Sequence, residues 1–193
     1  AQYREAHPEG EVLSRATGAS RPYGDNPYPG YDREDSDPID NFFDGDVDRT
    51  LASKARVVGV ADEVGPIAVR FEDLVRQPVI PVTDGGRNLV VFHRPGLASA
   101  LDSFQVDGGR DVGQTGVFEA AAPDGTTLTF RPAGDLDGGR FTDAETGSTW
   151  NVLGQAVDGP LAGQELTPVA HLDTFWFAWA TYRPGTVIVD PPA

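Results

Sequence analysis

Apolar and polar positions divide the chain into two unlike parts. Residues 16–50 carry little regular pattern. Pro22, Pro27, Pro29 and Pro38 interrupt the stretch, Gly24 and Gly30 lie between them, and Tyr23, Tyr28, Tyr31, Phe42 and Phe43 are spread through it. Such a segment cannot build a core alone. Its rings each offer a large area for burial, which predicts an arm wrapped over a main body. Ahead of it, residues 1–6 read as a helix end stopped by Pro8 and Gly10, and Val12-Leu13 as a short strand.

From Arg56 onward short apolar runs recur, at 57–60, 67–71, 79–82, 89–92, 100–104, 117–120, 126–130, 140–142, 149–152 and 165–169. Turn signals separate them: Asp84-Gly85-Gly86, Asp107-Gly108-Gly109, Asp124-Gly125 and Asp137-Gly138-Gly139. Asp-Gly pairs suit two-residue hairpins because both residues tolerate positive φ. Even punctuation predicts antiparallel strands rather than βαβ units. Residues 72–76 read as one helical turn. Residues 173–183 read as a helix capped by Asp173 or Thr174, with Phe175, Trp176, Trp179 and Tyr182 on one aromatic face. Pro184-Gly185 ends it, and 186–189 returns to strand. The fold expected is mainly β, an antiparallel barrel or sandwich, with one C-terminal α-helix and an extended N-terminal arm. Residues 1–50 form the helix remnant and arm, and 51–193 the β-rich domain.

The two ends echo one another. Residues 1–13 and 180–189 each carry Ala-x-Tyr-Arg, then Pro and Gly, then a short β run. The echo leads us to expect the C-terminal copy of a two-domain protein.

Composition narrows the function classes. The chain has 193 residues, with 30 acidic against 15 basic ones and a net charge of −15. Such a charge repels nucleic acid and anionic membrane, and no apolar run is long enough to insert. Dense carboxylates also suit a surface kept hydrated in high salt, although a merely solvated acidic surface has the same composition. The absence of Cys removes disulfides, thiolate nucleophiles and Cys-ligated metal centres. No Gly-x-Ser-x-Gly elbow, phosphate-cradling loop or zinc-protease helix is present.

Three groups of residues could carry chemistry. His93 follows an apolar strand and could be a lone metal ligand, or a satisfied structural histidine. Asp44, Asp46 and Asp48 alternate as Ca²⁺ ligands do, but Arg49 stands where the EF-hand loop has Gly, so a solvated acidic turn competes. Asp143, Glu145, Thr146, Ser148 and Trp150 could line a pocket with an acid/base pair, or form a turn anchored by the indole. His171 and Trp176 complete the candidate pocket. His171 also suits hydrogen bonding at the start of the aromatic helix, and Trp176 the docking face of that helix.

Residues 143–163, DAETGSTWNVLGQAVDGPLAG, resemble the domain of unknown function family 3179 of bacteria and archaea. Residues 56–74 are similar to the strand–turn–strand that opens the family domain, and 13–31 to the linker that follows one copy in longer members. The aromatic helix and its Tyr-Arg-Pro-Gly-Thr exit match the family's C-terminal end. Many members carry Cys-Pro-Leu-Cys-Gly on the central strand; here Phe92-His93-Arg94-Pro95-Gly96 stands instead, so sulfur chemistry does not carry over. The resemblance implies a secreted or surface-anchored setting and no established activity.

The function expected is a noncatalytic extracytoplasmic binding or interaction module of a longer repeat protein, with no cofactor unless Ca²⁺ binds. It would meet a protein partner, or a second copy, through the arm. The alternatives are a metal/redox accessory or hydrolase-like enzyme using His93 with the Asp143/Glu145 region, and a structural subunit of a surface assembly.

Overall fold

The structure is a computed structural model and describes residues 4, 7–40, 43–134 and 139–192. Its elements run β1 (Arg56–Ala61), β2 (Pro66–Arg70), α1 (Phe71–Arg76), β3 (Val79–Asp84), β4 (Arg87–Arg94), β5 (Gln114–Glu119) and β6 (Phe130–Pro132). They continue with β7 (Arg140–Asp143), β8 (Thr149–Asn151), β9 (Ala156–Asp158), β10 (Leu172–Phe175), α2 (Trp176–Tyr182) and β11 (Val187–Ile188). The strands form three open sheets, ordered β10-β1-β2-β11, β3-β4-β5 and β6-β7-β8-β9. All pairings are antiparallel except that of β11 with β2. Each sheet keeps edge strands, so the architecture is one of stacked sheets rather than a closed barrel.

β4 shows why the sheets stack. Its consecutive Leu89, Val90, Val91 and Phe92 are all buried. Strand side chains alternate between faces, so a continuous apolar run requires cover on both. Val90 and Phe92 pack with Phe118 of the same sheet and with Phe141 and Trp150 of the third. Leu89 and Val91 pack with Val58, Val60, Val69 and Leu74 on the first sheet and α1. The β3-β4-β5 sheet is therefore the middle layer. On the far side of the first sheet, Val57 meets Trp176 and Trp179 of α2. Gly59 lies on that face, and a Cβ there would come within 2.4 Å of the Trp179 ring.

The β3–β4 hairpin turns on Gly85-Gly86, at φ 55° and 84°, with Asp84 paired to Arg87, so the turn sits one residue later than an Asp-Gly turn would. Residues 100–104 form a turn rather than a strand, because the arm claims their backbone. The carbonyls of Leu101, Asp102 and Phe104 accept from the amides of Tyr31, Gly30 and Asn26 at 3.0, 2.7 and 2.7 Å. Residues 165–169 also form no strand. Val169 and Thr167 bond to β5 at 2.9 Å, but Pro168 between them has no N–H and the contact stays an isolated bridge. The aromatic helix is shorter than expected. Asp173 and Thr174 pair with Val58 and Val57 in β10, and Phe175 precedes α2 without a side-chain cap. The free edge of β1 outcompetes the local capping preference.

From Gly24 onward the arm docks along the body, whereas residues 7–22 are exposed throughout. Asp32 is fully buried and accepts from Arg56 Nη2 at 2.9 Å, Arg110 Nη1 at 3.1 Å and the Ser99 hydroxyl. Tyr31 meets Phe175 edge-on at 6.1 Å, and Phe43 meets Phe177 at 5.3 Å. Val12 and Leu13 form no strand and are exposed. Phe42, Asp137-Gly138 and all of the helix expected at 1–6 except Arg4 lie outside the described residues.

Candidate functional site

The structure gathers Asp143, Glu145, Thr146, Ser148 and Trp150 at the β7–β8 turn and uses them there. Asp143 is 1% exposed. It accepts from the Thr146 amide at 2.6 Å, the Thr146 hydroxyl at 2.9 Å and the Trp150 indole at 2.8 Å. Burial pushes this carboxyl up, but the indole and the Thr146 donors outweigh it and hold the group below the ordinary carboxylate range. Glu145 Oε2 accepts from the Thr129 amide at 2.7 Å, and Ser148 Oγ from the Leu161 amide at 3.0 Å. A carboxylate held ionised by three donors in a dry turn is a poor proton carrier and a good structural pin.

Asp44 and Asp46 are exposed, while Asp48 Oδ1 accepts from the Thr50 amide at 2.8 Å and the Trp176 indole at 3.0 Å. Asp48 thus ties the end of the arm to α2, and Trp176, 2% exposed, is its partner. Among the described residues no group of three or more His, Asp or Glu is arranged to hold a metal ion.

His93 stands apart from both clusters. It lies at the end of β4 opposite Thr115 of β5, on the face that β4 turns toward the first sheet. It is 5% exposed, its Nε2 lies 3.3 Å from the Val112 carbonyl, and its ring meets Phe71 edge-on at 6.0 Å. Burial holds the imidazole below its ordinary value, against the pull of that carbonyl and of Asp111 and Asp173. Across the layer, the Thr115 hydroxyl is 2.8 and 2.7 Å from the two oxygens of Asp173. Asp173 is solvent-exposed, yet burial raises its carboxyl, against the Thr115 hydroxyl, His171, Arg56 and His93. His171 is exposed and its Nδ1 is 2.9 Å from the Val169 carbonyl, ahead of β10 rather than at the helix.

The apolar core between the first two sheets therefore ends in a polar rim of His93, Thr115, Asp173 and Arg56. Burial lowers the imidazole of this rim and raises its carboxyl. Thr115, Asp173 and Arg56 are the members that sequence reasoning missed. Asp173 reads as a helix cap by residue type, and nothing local signals pairing with β1 across more than a hundred residues.

On the arm side, two recesses flank the docked segment. One, of about 290 Å³, is lined by Tyr28, Tyr31, Ile39 and Leu101. The other, of about 480 Å³, is lined by residues 21–27 and Phe104. Tyr28 and Phe104 are 51% and 58% exposed.

The family model described as "Protein of unknown function (DUF3179)" matches residues 1–186. No curated protein matches the chain, and no solved structure matches it.

Proposed function

Since the chain belongs to the DUF3179 family of proteins of unknown function, we propose that it is a noncatalytic binding or interaction module whose binding face is the docked arm with the loop it grips. One contrast carries this reading. Asp143 of the family-like turn is consumed inside the fold and Glu145 is engaged at the surface by the Thr129 amide, whereas Tyr23, Tyr28, Ile39, Leu97 and Phe104 expose large apolar groups on the arm and the 97–111 loop. Aromatic groups half-open beside concave, mostly apolar recesses are the anatomy of an interface awaiting a partner. The docked arm presents them rigidly, so little ordering is needed on binding. The extracytoplasmic setting, carried over from exported relatives, and the place in a longer repeat protein belong to the same reading. So does adaptation to high salt: screening of a −15 charge relieves self-repulsion, so stability should rise from low to molar salt.

A photocrosslinking residue placed at Phe104, in the full-length protein in its native cells, tests the face. The control position is Val75, 62% exposed on α1. A discrete crosslinked product from 104 and not from 75 supports the module. No product, or the same products from both positions, overturns it.

A further inference from the structure

Away from the arm, β10 and α2 frame a second groove, of about 440 Å³, lined by Leu172, Thr174, Ala178, Trp179, Tyr182 and Arg183. Its size and its mostly apolar lining with a few polar groups are those of small-molecule sites. The Trp179 indole is the unusual member. Trp150 donates its N–H to Asp143 and Trp176 donates to Asp48, but Nε1 of Trp179, in a residue 6% exposed, has no partner among the described residues. A buried donor left unpaired is costly and rare in native folds. The atoms of this ring nearest a Cβ at Gly59 are Cε3, Cδ2 and Cζ3, so the benzo side of the indole, and not the N–H, makes that contact.

The charge in the groove has one sign. Arg183 lies over the Trp179 ring at 6.0 Å and uses Nη1 on the Tyr182 carbonyl at 2.9 Å, which leaves other guanidinium N–H groups to donate. Among the described residues no carboxylate lines the groove, in a chain whose net charge is −15. An N–H and a cation next to an apolar wall call for an anionic acceptor with an apolar body. We infer that this groove binds an amphiphilic carboxylate, its head taken by Arg183 and the Trp179 N–H and its chain lying along Leu172, Ala178 and Tyr182. Nε1 is itself shielded from solvent, so admission of the head requires the ring or the exposed Tyr182 and Arg183 to move. The arm face plays no part in this site, so the two readings fail separately.

The test uses the whole protein, ¹⁵N-labelled, and its three indole resonances, with that of Trp179 identified by Trp179→Phe. Decanoate, below its micellar concentration, shifts the Trp179 indole saturably and leaves that of Trp150 in place. Decanol and decylamine bind about tenfold more weakly or less, and Arg183→Gln weakens decanoate by about tenfold, as loss of a charge-assisted hydrogen bond does. No saturable shift with decanoate, equal binding of decanol, or an unchanged affinity in Arg183→Gln overturns the inference. So does binding of a short apolar peptide with a free C-terminus in the absence of decanoate binding, which would make the groove a peptide-terminus site.

Discussion

The ammonium of Lys54 lies 3.8 Å from the centroid of the Tyr31 ring and donates to the carbonyl of the same residue at 2.6 Å. Lys54 is the only lysine in the chain. At 2% exposure, it also reaches the Ser36 hydroxyl at 3.0 Å. One buried cation thus grips the arm by its backbone, a hydroxyl and an aromatic face. Lys54→Met keeps the stem and removes all three contacts. Urea unfolding should show a loss of about 2–3 kcal/mol, from the unpaired carbonyl and the lost ring contact. Limited trypsin digestion should cut at Arg33 sooner than in the parent. An unchanged midpoint and cleavage rate would mean that the arm docks without Lys54.

Asp143 links stability to pH. Its folded carboxyl is held below the ordinary range, so its contribution is full above the unfolded value of about 3.9 and is lost as pH falls through the folded value. Asp143→Asn offers an amide where three donors converge, and should cost about 2–4 kcal/mol at pH 7. The difference between parent and variant should shrink below about pH 4. Denaturation curves at pH 7, 5, 4 and 3 check both points; a pH-independent difference would contradict the linkage.

Asp173 has the opposite sign. Its folded carboxyl is raised, so the fold carries a penalty that develops as pH rises from the unfolded value through the folded one. Asp173→Asn retains an acceptor for the Thr115 hydroxyl and should stabilise the protein at pH 7, with no gain below about pH 4. Thr115→Val removes a donor that favours the ionised form, and should move the Asp173 titration, followed by carboxyl NMR, further upward.

Gly59 is required by Trp179 rather than by any turn. In Gly59→Ala the new methyl meets ring carbons at 2.4 Å, so either the ring or β1 must shift. A loss of about 1–3 kcal/mol is expected, with a change in tryptophan emission as the helix lifts. A loss within a few tenths of a kcal/mol would show that α2 yields freely.

The alternating and continuous apolar runs from Arg56 onward, and the Gly-containing turns between them, sufficed to make the body antiparallel and β-rich. The prolines and tyrosines of 16–50 sufficed to make the arm a wrapped segment. These features are local, because burial on a strand and positive φ in a turn are properties of a few neighbouring residues. Only the tertiary structure decided that Asp173 belongs to β10, that Asp143 is buried and accepts from Thr146 and Trp150, and that 100–104 serves the arm instead of a sheet. It likewise decided that the Trp176 indole has a partner and that of Trp179 has none among the described residues. Each of those outcomes turns on which distant donor or acceptor reaches a polar group, and hydrogen-bonding partners so far apart in the chain leave no periodic trace in the sequence.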